Sequence, residues 1–130
     1  QVLMTRLQSD LAELLLATAK GELANCPPPR LSDDYALTVV MAAKGYPGTP
    51  DKGGAISLGD VGHAKVFHAG TALKDGALVA NGGRVLNVTA TGSSVTEAQR
   101  AAYAAVDAIT FPAGFCRRDI GWREVARERN

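Results

Sequence analysis

A chain of 130 residues and 13.5 kDa has room for one compact domain with its own core. With 14 Lys and Arg against 13 Asp and Glu, the net charge of +1 argues against a polyanionic partner, so no nucleic acid is expected. The hydrophobic fraction of 46% is ordinary for a globular protein, and no run of about 18 apolar residues or signal-peptide pattern points to a membrane.

In chain order, Leu3, Leu7, Leu11, Leu14 and Leu15 recur at helical spacing, and Gly21 supplies a stop. This predicts one amphipathic helix whose stripe either covers the domain's own sheet or docks on another part of the polypeptide. The periodicity already runs at Val2 and Leu3 without a cap, and Gln1 is not methionine, as expected of a cut end. Residues 25–35, with three consecutive prolines, read as a linker. Residues 36–43 form a continuous apolar run, rich in Val and Thr, expected as a strand buried on both faces.

Residues 44–48, Lys-Gly-Tyr-Pro-Gly, form a turn, and the Gly- and Asp-rich 49–64 a long loop with one short strand. A strand is expected at Val66–Ala69, a hairpin turn at Lys74-Asp75-Gly76 and a return strand at Leu78–Ala80. Asn81-Gly82-Gly83 supplies residues that tolerate positive φ, so the chain can turn sharply there and leave amides free beside Arg84. A strand over 85–91 follows. Ser94-Val95-Thr96-Glu97 matches a capping box, opening a helix with an alanine-rich inner face toward Ile109. Asp119 is the expected cap of a last helix over 120–127. The order predicts an α+β fold with a mainly antiparallel sheet and helices packed on one side.

Chemistry-bearing patterns are few. Phosphate-loop, nucleophile-elbow and metalloprotease motifs are missing, so neither a catalytic residue nor a metal site is assigned. Cys26 and Cys116 are far apart, and His63 and His68 lie five apart with no cysteine nearby, which fits a reduced, cytoplasmic setting better than a disulfide or zinc framework. Asp33-Asp34 reads as a solvated linker pair and His68 as a strand histidine without a catalytic partner. Tyr46 can line a pocket or pack in its turn. Arg117-Arg118-Asp119 reads first as a surface ion pair. Arg84 stands out: its planar fork would meet a phosphate or carboxylate, or else pair with a carboxylate of the domain.

Six segments then carry a resemblance: RLQSDL (6–11), VVMAAKGYPG (39–48), KVFHAGT (65–71), NGGRVLNVTATG (81–92), EAQRAAY (97–103) and RRDIGWR (117–123). In this order they resemble the C-terminal part of the glycinamide ribonucleotide synthetase (phosphoribosylamine–glycine ligase) family of ATP-grasp enzymes, across nearly the whole chain. The departures are Lys44, where the family often has a small residue, and Asn87, where it often has cysteine.

The resemblance implies a ligase of purine biosynthesis. It joins glycine to 5-phosphoribosylamine with ATP and Mg2+, by way of a glycyl phosphate that the amine attacks. It implies an upstream ATP-grasp region, ending in a segment like EFN-x-RFGDPE, that carries the nucleotide contacts and magnesium ligands. This chain alone is then expected to bind no cofactor, to lack activity and to close one side of the active-site cleft. Residues 1–24 would be a helix from the end of the ATP-grasp domain, 25–35 a linker, and 36–130 a C-terminal domain like that of biotin carboxylase. The loop matching Gly45, Tyr46, Pro47 and Gly48 would end a strand directed at the cleft. Asn81, Gly82, Gly83 and Arg84 would form a second rim, suited to the 5-phosphate. The alternative is a free-standing module that binds a phosphorylated metabolite or a partner protein through the same loops.

Overall fold

The computed structural model describes residues 1–129. Its helices are α1 (Val2–Arg6), α2 (Leu11–Lys20), α3 (Val95–Asp107) and α4 (Trp122–Arg127). Its strands are β1 (Tyr35–Ala43), β2 (Ser57–Leu58), β3 (Lys65–His68), β4 (Thr71–Lys74), β5 (Ala77–Ala80), β6 (Arg84–Gly92), β7 (Ile109–Thr110) and β8 (Gly114–Cys116). Every pairing is antiparallel: a main sheet in the order β3-β6-β1-β8, with two small ribbons, β4-β5 and β2-β7. The fold is α+β with a mainly antiparallel sheet and flanking helices.

The core forms where α3 lies on the sheet. Ala98, Ala102 and Ala105 present almost no side-chain bulk, so the helix approaches closely, over Val39, Leu86 and Val88. Along β1, Leu37, Val39 and Met41 are buried while Val40 is 38% exposed. This corrects the expectation of a strand buried on both faces, because α3 covers one face and the other has only α1 near β1 and β6. It also places a helix on each side of the sheet rather than on one side.

The single N-terminal helix is likewise two. Asp10 accepts hydrogen bonds from Ala12 N (2.8 Å) and Glu13 N (3.2 Å), capping α2 and separating it from α1. Leu7 instead bridges to Leu31, with Gln8 N donating to Arg30 O and Ser32 N to Arg6 O, so the proline segment runs back along the break. Gly21 ends α2 in the left-handed region, as expected of a C-cap.

Two local expectations shift. The hairpin pairs Leu78–Ala80 with Thr71–Leu73, a strand missed in the sequence, and not with residues 66–69, which pair with β6. Asp75 and Gly76 both take positive φ, as a tight hairpin turn requires. Asp119 does not cap α4, because Arg117 holds its carboxylate at 2.7 Å.

At the start of α3, Ser94 Oγ accepts from Glu97 N, but the Glu97 carboxylate reaches Ser93 rather than Ser94. Glu128, beyond α4, takes Val95 N (2.6 Å), Thr96 N (2.9 Å) and Thr96 Oγ1 (2.6 Å). Two carboxylates thus satisfy amides at the positive end of the helix dipole and tie the end of the described chain to α3.

The Thr96 hydroxyl and amide hold the Glu128 carboxyl below the usual 4.5, and Ser93 does the same for Glu97. Both bind protons less readily folded than unfolded. Their stabilisation is therefore complete above about pH 4.5 and is lost as pH falls through the depressed native values. Thermal melts across pH should show Glu128→Gln below the parent at pH 7, with the gap closing in acid.

Candidate functional site

Residue pairing across β1 and β6 determines what the uncovered sheet face presents. Val40 opposes Asn87 and Met41 opposes Leu86, but Ala42 opposes Arg84, so Val85 is an extra residue on β6. This is a β-bulge. Without it, strict alternation would place Arg84 on the face opposite to Asn87. With it, Arg84 and Asn87 share the open face, and both line a groove of about 570 Å3 with Gln1, Thr38, Val40, Ala69 and Gly70. Phe115, opposite Ala42 on β8, lies in the same cross-strand row as Arg84 and is 46% exposed.

Among the described residues Arg84 has no carboxylate partner. The ion pairs among the described residues are Arg117–Asp119, Arg118–Asp107 and Arg127–Glu124. The alternative that Arg84 pairs with a domain carboxylate is therefore set aside. Its backbone is fixed instead, since Arg84 O accepts from Gly70 N at 2.9 Å. A fixed backbone with a free guanidinium is what an anion contact requires. On the groove floor, the Thr38 and Thr89 hydroxyls bond each other at 2.7 Å, leaving the Asn87 carboxamide without a protein partner among the described residues.

The two loops singled out in the sequence meet. Ala43 N donates to Gly83 O at 2.9 Å, and a Cβ added at Gly83 would stand 2.5 Å from Tyr46 Cδ2. Tyr46 therefore packs over the 81–84 turn, and 45–48 is an exposed rim carrying a cis bond at Tyr46–Pro47. Gly45 has φ +87, and a Cβ there would strike Thr49 O at 2.1 Å, so this turn does depend on glycine.

Gly82 and Gly83 differ from expectation, since neither takes a left-handed φ. Their role is close approach: Gly82 against the Gly70 backbone, Gly83 against the Tyr46 ring. Asn81 N is occupied by Gly70 O at 2.7 Å, and the groove is lined by Arg84 but not by the loop glycines. Gly70 and Asn87 were missed as site residues. Asn87 sits in the middle of a strand, and only the bulge, invisible in composition or spacing, puts it beside Arg84.

His68 accepts no catalytic role here: Nδ1 lies 3.1 Å from Thr71 Oγ1 on an exposed strand end. Arg117 and Arg118 are engaged in surface ion pairs, each with its pKa raised chiefly by its hydrogen bond to the aspartate. Among the described residues no three His, Cys, Asp or Glu side chains come together as a metal site, and no helix is long and apolar enough to cross a membrane.

Gly70→Ala and Gly83→Ala test this packing. At Gly70 the added methyl meets only backbone, 2.7 Å from Arg84 O and 2.8 Å from Gly82 Cα. At Gly83 it meets a side chain that can turn away. Urea unfolding should show the larger loss for Gly70→Ala, about 2–3 kcal/mol, and a loss at Gly83→Ala that Tyr46→Ala largely relieves.

Comparison with known proteins locates this architecture. Residues 36–123 match the family described as phosphoribosylglycinamide synthetase, C domain. The chain is 60% identical over 134 residues to phosphoribosylamine–glycine ligase of Mesorhizobium japonicum, covering 99% of this chain and 31% of that protein. It is 50% identical to the chloroplastic phosphoribosylamine–glycine ligase of Arabidopsis thaliana, covering 98% of this chain and 25% of that protein. The crystal structure of phosphoribosylamine–glycine ligase from Thermotoga maritima superposes with a TM-score of 0.67 at 37% identity, covering 84% of this chain and 28% of that one. The chain thus spans about 31% of the length of the Mesorhizobium japonicum relative. Its matched span of 36–123 and its 60% identity over nearly its whole length make the chain a member of the phosphoribosylglycinamide synthetase C-domain family.

Proposed function

We propose that this chain acts as the C-terminal domain of a phosphoribosylamine–glycine ligase, closing the cleft of an upstream ATP-grasp region. In that reaction the ATP γ-phosphoryl passes to the glycine carboxylate, giving ADP and glycyl phosphate. The phosphoribosylamine nitrogen then attacks the acyl carbon, the new amide bond forms, and phosphate leaves. Magnesium and the nucleotide belong in this reading to the upstream region. The setting would be cytoplasmic.

The open sheet face carries the reading. An apolar strand usually has both faces covered, yet Val40 and Phe115 lie exposed on the face that carries Arg84, which has no ion-pair partner among the described residues. The N-terminal helices tell the same story: Leu15 and Leu16 are 60% and 56% exposed, and only Ala17 of α2 is buried. We read α1 and α2 as docking on the upstream region, residues 25–35 as the linker, and 36–130 as the cleft-closing domain. Arg84 would hold the 5-phosphate, with Gly45–Gly48 and Asn81–Gly83 forming the rim that fixes its backbone.

The test is ADP release dependent on glycine and phosphoribosylamine, for the chain alone and for the chain joined to its upstream region. Release only from the joined protein supports the reading. Release from neither overturns it. In the joined protein, Arg84→Ala should raise KM for phosphoribosylamine about 10- to 100-fold, the effect of losing a charge-assisted contact, while KM for ATP and glycine holds. Leu15→Glu with Leu16→Glu, supplied in trans to the separate upstream region, should weaken assembly at least tenfold in titration.

A further inference from the structure

The groove holds a second group that the phosphate does not need. Asn87 lines it beside Arg84, on the face to which the Val85 bulge returns both. Their β1 partners, Val40 and Ala42, are two positions apart, so the side chains leave the sheet about 7 Å from one another. That spacing suits a ligand with an anion at one end and neutral polar groups a few bonds away.

Besides Asn87 and Arg84 the groove is lined by Gln1, while its Thr38 hydroxyl and Gly70 amide are engaged. The Thr38 and Thr89 hydroxyls bond each other, and Thr38 Oγ1 also reaches Val88 O at 3.3 Å. Gly70 N is bonded to Arg84 O. Asn87 is half-buried and keeps both a carbonyl acceptor and an amide donor free toward the groove. A carboxamide can donate to one hydroxyl and accept from its neighbour, whereas a second phosphate contact would call for a cation.

We propose that Asn87 reads the vicinal hydroxyls of a pentose whose 5-phosphate is held by Arg84. It is a specificity residue for sugar phosphates rather than a part of the bond-forming chemistry. The inference rests on the phosphate reading of Arg84, and it adds the sugar as the second determinant. The Val85 bulge is the device that makes a two-point site from one strand, because without it the two side chains would leave opposite faces.

The experiment measures binding of inorganic phosphate, ribose 5-phosphate and 2-deoxyribose 5-phosphate by calorimetry, using the chain joined to its upstream region. The parent should prefer ribose 5-phosphate over its 2-deoxy analogue about tenfold, the contribution of a buried hydrogen bond. Asn87→Leu should abolish that preference and leave inorganic phosphate binding unchanged. Asn87→Ala, which adds no bulk, reads the same difference if leucine perturbs the sheet. A preference that survives both substitutions, or its absence from the parent, overturns the role of Asn87. Separately, an Arg84→Ala protein that binds all three probes like the parent overturns the phosphate reading, and failure of the parent to bind any probe overturns both.

Discussion

The pairing of β1 with β6 governs the rest of the molecule. Each strand has nine residues, they are the two central members of the sheet, and α3 packs on both. Their register sets which side chains enter the core: Val39 with Val88 and Met41 with Leu86. A slip by one residue would turn every one of these to the open side. The bulge at Val85 is where that register is broken, and it lies next to the residue with the most evident chemistry. The strand thus stays locked to the core over most of its length and is re-aimed only at its first residue.

Close backbone approach is the second constraint. Gly70, Gly82 and Gly83 leave no room for a Cβ, and together they press the end of β3, the 81–84 turn and the Tyr46 ring into one block. The hydrogen bonds Gly70 N to Arg84 O, Asn81 N to Gly70 O and Ala43 N to Gly83 O close it. A long cationic side chain placed on such a block loses little further freedom when it meets an anion, because the backbone beneath it is already ordered. The rim loops thus fix the backbone position of Arg84.

The distribution of exposed apolar surface separates this core from its surroundings. Ala98 and Ala102 on α3 and Val39 and Val88 on the sheet below it are fully buried, whereas α2 leaves Leu11, Leu15 and Leu16 exposed. An exposed leucine stripe of this kind supports the docking proposed for α2, in a family whose aligned members run to about three times this length.

The sequence by itself determined the central strands and the 95–107 helix, the antiparallel α+β class, the glycine stop at Gly21, the Asp75-Gly76 hairpin turn, the Ser94 cap and the family, because each depends on neighbours within a few positions or on an ordered set of motifs. It pointed to Arg84 for the same reason. Only the tertiary structure decided that residues 1–20 form two helices, since the proline segment returns to the break from 21 residues away, Arg30 N donating to Ser9 Oγ beside the Asp10 cap. Only it decided that Gly82 and Gly83 serve contact rather than positive φ, that 71–74 pairs with 77–80, and that one face of β1 stays open. The position of Asn87 beside Arg84 was the least legible of all. A bulge is a mismatch between two strands, and no property of either strand read alone records it.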